Sequence, residues 1–192
     1  MPHEEKIPSY KDKVGKLSVA MIRLGTGDLA ELRRMERGGP GCAAFWNLAA
    51  DCGFIDETSR TDAWMRIVKI MAILTPKGER TRPSSVHDPK RSFGAVLCDG
   101  GDPAWKTTTG PLLSETRLMR FLAEPPGRRA ATLERIARML AANRKSENGF
   151  DFTEIAALLL FSNNEFTIRD IARAYYRRLD SVAHEARQKE NA

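Results

Sequence analysis

The chain predicts an all-α fold of about eight or nine short helices in two packed helical bundles. Three observations carry that prediction. Apolar residues recur at three- and four-residue intervals along almost the whole chain. No run of β-branched residues alternates with polar ones over the length of a strand. Glycine and proline interrupt the apolar pattern at spacings that suit short helices.

The elements follow in order. Val14, Leu17, Met21 and Leu24 form one stripe over 9–24, which Gly25 stops. Asp28 is placed to cap a second short helix, with Leu29, Leu32 and Met35 inward. Residues 42–52 turn Phe45, Leu48, Ala49 and Cys52 to one face and end at Gly53. From about Thr61, the residues Trp64, Ile67, Val68, Met71 and Leu74 mark the clearest helix of the first half, and Pro76 ends it. The segment 76-PKGERTRPSSVHDPKRS-92 has three prolines, five lysines or arginines and two acidic residues. That composition predicts a mobile, basic loop too polar to pack. A short helix with Phe93, Val96 and Leu97 inward follows, then the loop 99-DGGDPAWKTTTGP-111.

Ser114 opens a helix carrying Leu118, Phe121 and Leu122. Pro125-Pro126-Gly127 separates it from a helix near 128–143 that buries Leu133, Ile136, Ala137 and Leu140. Asp151 and Glu154 have capping-box spacing ahead of Ile155, Leu158 and Leu159. A last helix starts near Thr167 and ends near 183, with a fraying tail. The two long loops divide the chain into an N-terminal bundle, 1–105, with the basic loop 76–92, and a C-terminal bundle, 106–192.

At 192 residues the chain can bury a real core. Its net charge of +6 and its 21 arginines against 10 lysines favour an acidic partner. The guanidinium fork suits bidentate phosphate contacts, whereas lysine acts as a point charge. Cys42, Cys52 and Cys98 are too few and too scattered for a disulfide framework or a zinc site, and read as buried free thiols. His3, His87 and His184 have no partner at metal-ligand spacing. No metal, cofactor or catalytic residue is expected. The motifs of phosphate-loop enzymes, zinc proteases and serine hydrolases are all missing from the chain. No apolar run approaches a membrane span, and residues 1–13 are polar, so a cytoplasmic protein with no membrane partner is expected.

The arginines carry the functional reading. Arg169, Arg173 and Arg177 follow i, i+4, i+8 and form a ridge opposite Ile168, Ile171, Ala172, Tyr175, Leu179 and Val182. Tyr176 lies on the ridge's margin, placed to stack on a base. Arg135 and Arg138 sit one turn apart, as do Arg117 and Arg120. Arg33, Arg34 and Arg37 cluster before Gly38-Gly39-Pro40, and Arg66 lies within the Trp64 helix. Such a distribution predicts nucleic-acid binding along a sequence-independent phosphate track, weakened by salt. The alternative is a helix-turn-helix DNA-binding transcriptional regulator over 153–179, turning through Ser162-Asn163-Asn164, although that turn lacks the usual glycine.

Several segments in order resemble one family: Gly-Asp-Leu-Ala-Glu-Leu-Arg-Arg-Met (27–35), Ala-Phe-Trp (44–46), Trp-Met-Arg-Ile-Val (64–68) and Ser-Phe-Gly-Ala-Val-Leu (92–97). Further along come Ser-Glu-Thr-Arg-Leu-Met-Arg-Phe-Leu (114–122), Arg-Met-Leu (138–140) and Arg-Asp-Ile-Ala-Arg-Ala-Tyr-Tyr (169–176). Together they are similar to the CasB family, the small subunit of the type I-E CRISPR Cascade complex. The resemblance implies a non-catalytic, all-helical ribonucleoprotein subunit in antiviral defence. It implies partners as well: CRISPR guide RNA, target DNA with its displaced non-target strand, other Cascade subunits and a second copy of the chain. In the family, basic surface residues stabilise the guide–target hybrid and hold the displaced strand of the R-loop. Arg33, Arg34, Arg117, Arg138 and Arg169 match the family's basic positions. Two positions depart from the pattern: Ala95 stands where members often carry a basic residue, and Asn163-Asn164-Glu165 where many carry Arg or Lys. Arg80, Arg82, Lys90 and Arg91 of the loop are expected to supply the missing charge.

Overall fold

A computed structural model describes residues 9–76, 85–106, 109–143 and 149–190, the last six of these by their backbone only. These residues form nine α-helices and no strand: α1 (Tyr10–Arg23), α2 (Thr26–Arg34), α3 (Ala43–Cys52), α4 (Thr61–Leu74), α5 (Phe93–Asp99), α6 (Glu115–Leu122), α7 (Pro126–Asn143), α8 (Phe152–Leu160) and α9 (Glu165–Glu190). The all-α expectation holds. Helix ends explain themselves locally. A capping box opens α1, with Asp12 N–H donating to Ser9 Oγ at 3.3 Å and Ser9 N–H donating to Asp12 Oδ2 at 2.9 Å. Gly53 closes α3 in the left-handed region at φ +78°. Asp28 sits in the first turn of α2, but Gly25 occupies the cap position.

The predicted apolar stripes meet in one core. Trp64, Ile67, Val68 and Met71 of α4 are buried, and α4 packs against α1, α2, α7 and α8. Helix α8 lies deeper still. None of its residues is exposed, and it touches α1, α4, α5, α7 and α9. A helix this apolar must be enclosed by neighbours. Packing therefore crosses the expected division at 105/106: α7 and α8 lie on α4, while α5 lies on α9. The α5–α9 contact depends on a glycine, because a Cβ at Gly94 would stand 2.1 Å from the Ile171 carbonyl oxygen. Tyr175 of α9 is fully buried and donates its hydroxyl hydrogen to Leu113 O at 2.7 Å, which ties α9 to the segment before α6.

Three expectations change. First, residues 77–84 of the basic loop lie outside the described residues, but 85–92 are packed rather than loose. Val86 is buried, and its carbonyl accepts from Phe150 N–H at 3.0 Å while Asp88 N–H donates to Phe150 O at 3.0 Å. Apolar Val86 and paired backbone groups outweigh the polar composition here. Second, α9 begins at Glu165 and runs to Glu190 rather than fraying near 183. Its last residues, Glu, Ala, Arg, Gln and Lys, are strong helix formers that need no apolar stripe to extend a helix already anchored.

Third, Asp151 caps α8 by accepting from Thr153 N–H, but Glu154 does not complete the box. Its carboxylate reaches α5 instead, accepting from Phe93 N–H at 2.6 Å and Ser92 Oγ at 3.0 Å. Burial pushes the Glu154 carboxyl up to about 7, helped by Asp151 and Asp170 and opposed by those two hydrogen bonds. The folded-state value lies above the unfolded one, so this group's contribution to stability is full below about pH 4.5 and falls as pH rises to about 7. Glu154→Gln is therefore expected to flatten the fall. At pH 8 it should stabilise the chain by on the order of 2 kcal/mol, and at pH 4 leave it nearly unchanged. Urea melts at the two pH values test this. Equal effects at both pH values would contradict it.

Candidate nucleic-acid interface

The opening cluster splits on folding. Arg33 and Arg34 occupy the last turn of α2, where the helix dipole favours cations. Arg33 is half-buried and turns to the end of α4, donating Nε to Ala72 O and Nη2 to Thr75 O, each at 2.9 Å. It satisfies carbonyls that the helix end leaves without partners. Its primary duty is therefore to fasten α2 to α4. Arg34 and Arg37 are exposed, and neither has an ion pair among the described residues.

Arg37 lines a cleft whose other walls are α4 and α7. Arg66 lines the same cleft, so residues 29 positions apart in sequence come together. Met35, Met65, Ile70 and Ala130 supply the apolar part of the wall. Lys69, which sequence reading passed over, also faces the cleft. Its Nζ is committed to Met35 O at 2.8 Å and to Glu134 at 3.1 Å. Glu134 in turn accepts from Arg138 at 2.7 Å, which brings Arg138 to the cleft's edge. Burial would raise the Glu134 carboxyl, but Arg138 and Lys69 hold it below the usual carboxylate range. Arg135 is exposed one turn earlier and donates to Thr132 Oγ1 at 2.6 Å.

The remaining predicted residues form a second group on α6 and α9, which pack together. Arg117, Arg120 and Arg177 are exposed without an ion pair among the described residues. Arg169 pairs with Glu165 at 3.0 Å and Arg173 with Asp170 at 2.6 Å, both on the surface. Exposed pairs of this kind are worth little and exchange readily for a phosphate. Tyr176 keeps 38% of its surface exposed beside this ridge.

Arg178 was missed, and it sets the orientation of α9. Its Nε donates to Asp99 Oδ2 at 2.8 Å and its Nη2 to Pro103 O at 2.9 Å. Arg91 grips the same carboxylate with Nη2 at 2.9 and 3.0 Å, so its charge is spent inside the fold rather than offered by the loop. Arg80 and Arg82 lie outside the described residues. A signal existed for Arg178: Ile171, Tyr175, residue 178 and Val182 follow the inward stripe of α9, and a cation on such a stripe requires a buried acid.

The family model for the CRISPR-associated protein Cse2 matches residues 28–176, well over half of the chain. The chain belongs to the Cse2 family. Comparison with the curated proteins and with the solved structures finds no match. Cse2-family membership makes the chain a subunit of the CRISPR Cascade assembly. The matched span contains ten of the eleven predicted arginines and ends one residue before Arg177.

The two positions expected to depart from the family's pattern sit in packed surroundings. Ala95 is half-buried in α5. Asn164 is buried and donates Nδ2 to Ala157 O at 2.7 Å and also to Phe161 O, closing the end of α8. The helix-turn-helix alternative fits the fold poorly. Its first helix would be α8, which should cross a DNA backbone, yet α8 is enclosed by five helices. Among the described residues no group of three or more His, Cys, Asp or Glu is placed to hold a metal ion, and no helix is long and apolar enough to cross a membrane.

Proposed function

We propose that this Cse2-family chain acts as the non-catalytic small subunit of a type I-E Cascade. In the cytoplasm it would bind nucleic acid through phosphates, without sequence preference, and stabilise the guide RNA–target hybrid and the displaced strand. The observation that carries the reading is a pair of cations beside one cleft: Arg37, just after α2, and Arg66 of α4, neither ion-paired among the described residues, with Arg34 exposed nearby in sequence at the end of α2 and also without an ion pair there. Guanidinium groups that meet phosphates release counterions, and contacts to phosphates carry no sequence information. Arg117, Arg120, Arg135, Arg138, Arg169, Arg173 and Arg177 would extend the contact along α6, α7 and α9. Its partners would be the guide RNA, the target DNA, other Cascade subunits and a second copy of the chain.

Fluorescence anisotropy of the purified chain and of the reconstituted complex tests this, using unrelated single-stranded DNA, duplex DNA and RNA over a salt series. The expected result is sequence-independent binding with a log–log salt slope of about −3 or steeper and no cleavage. A preference of several kcal/mol for one sequence would point to a regulator instead. Absence of any binding by chain and complex would remove the phosphate reading.

A further inference from the structure

Phe166, in the first turn of α9, leaves 82% of its surface exposed. Its ring meets no other aromatic ring among the described residues. The phosphate reading, built on guanidinium groups, does not use it. Resting on that reading, we propose that the outer face of α9 is a stacking platform for single-stranded nucleic acid, on which Phe166 and Tyr176 each carry an unstacked base while the arginines beside them hold phosphates.

At 100° per residue, Phe166, Arg173 and Arg177 lie within about 20° of one another around α9, and Arg169 and Tyr176 form a second line beside them. All five are exposed, opposite buried Ile171, Tyr175 and Val182. The two rings stand about 15 Å apart along the axis, and Arg169, Arg173 and Arg177 recur about every 6 Å. That rise is close to the length of one nucleotide in an extended strand. Successive phosphates can follow the arginines while a base near either end turns onto a ring.

The chemistry of the face selects the occupant. Outward on α6 and α9, Arg117, Arg120, Arg169, Arg173 and Arg177 are accompanied by Glu115, Glu165, Asp170 and Asp180. Charge is nearly balanced, so a ligand that offers only phosphates gains little here. A duplex is such a ligand, because its bases are stacked and paired inside. A single strand brings free base faces as well, and each one that covers an aromatic ring adds affinity independent of sequence. An amphipathic helix of a protein partner matches a contiguous apolar stripe. Between the two rings this face carries Arg169, Asp170 and Arg173, so each ring is an isolated apolar spot the size of one base. Met119 is the other large apolar side chain exposed among the described residues of α6 and α9, and its thioether packs well on an aromatic base. Val19, Trp46 and Ile55 lie on α1, α3 and the turn after α3.

Fluorescence anisotropy of the full chain tests this with an ordinary DNA single strand, its RNA counterpart, an abasic strand of equal phosphate number and a duplex. The ordinary DNA and RNA strands should bind about tenfold tighter than the abasic strand or the duplex. Phe166→Ala and Tyr176→Ala should each weaken ordinary-strand binding by about tenfold, with the abasic strand and the salt slope unchanged. Tyr176→Phe, which keeps the ring, should bind like the parent. Phe166→Trp should also bind like the parent, and the emission it adds should be quenched by the ordinary strand and not by the abasic one. Equal affinity for ordinary and abasic strands would overturn the platform and leave the phosphate reading standing. Tight duplex binding that Phe166→Ala abolishes would overturn it too, making the ring a wedge between base pairs. So would a Phe166→Ala chain that spares every nucleic acid but is retained less in the reconstituted Cascade, since the ring would then meet a protein subunit. Failure of the chain to bind any strand would also overturn it, whereas the phosphate reading falls only if the complex fails as well.

Discussion

Asp99→Ala is expected to destabilise the chain by about 3–5 kcal/mol, because it leaves two guanidinium groups in the fold without their carboxylate. Asp99 is 4% exposed and accepts from Arg91, Arg178 and the Gly101 N–H. Removing either arginine alone still leaves a matched pair, so Arg91→Ala and Arg178→Ala should each cost less than Asp99→Ala. The loss should appear as a fall of about 10 °C in melting temperature. Asp99→Asn should fall between, since its amide oxygen still accepts from Gly101 N–H but carries no charge. If Asp99→Ala melts within a degree of the parent, the triad contributes no stability. The consequence reaches function: Arg178 holds α9 against α5 and the 102–103 turn, which fixes the direction of the neighbouring Arg177 and of the ridge.

That triad also shows where reading the chain fell short. Helix periodicity is a local signal, and Leu118, Phe121, Leu133, Ile136 and Leu140 all went inward as their spacing predicts. Pairing between distant charges is not local. Asp99 and Arg178 are 79 residues apart, and only their shared burial joins them. Glu154 makes the same point more sharply. Its spacing from Asp151 is that of a capping box, and the spacing does mark the start of a helix. Yet its carboxylate serves Ser92 and Phe93, about sixty residues away, because α5 brings two donors closer than its own cap. The candidate site was legible as a list of arginines and not as a surface. Sequence ranked Arg33, Arg34 and Arg37 together; folding gave Arg33 to α4, left Arg34 in solvent and set Arg37 beside Arg66. The backbone carbonyl partners of Arg33 depend on where α4 ends in space, which spacing along α2 does not encode.

The same division makes the phosphate proposal sharply testable. The triple variant Arg34→Glu, Arg37→Glu, Arg66→Glu should weaken single-stranded DNA binding by on the order of 100-fold at about 0.1 M salt, and make the log–log salt slope shallower by about 2. Each of these side chains is unpaired among the described residues, so reversal breaks no internal ion pair and the melting temperature should hold. Arg33→Ala should do the opposite. It removes two hydrogen bonds to the end of α4, so stability should fall by about 1–3 kcal/mol, with little change in the salt slope. On α9, Arg169→Glu with Arg173→Glu should have a smaller effect per residue, because Glu165 and Asp170 already offset part of each charge. The salt slope separates the two roles. A lost phosphate contact changes it, whereas a destabilised fold lowers the active fraction and shifts the binding curve without altering its dependence on salt. If the triple variant keeps the parental slope and affinity, phosphates do not sit at the α2–α4–α7 corner, and the interface would have to be carried by α6 and α9 alone.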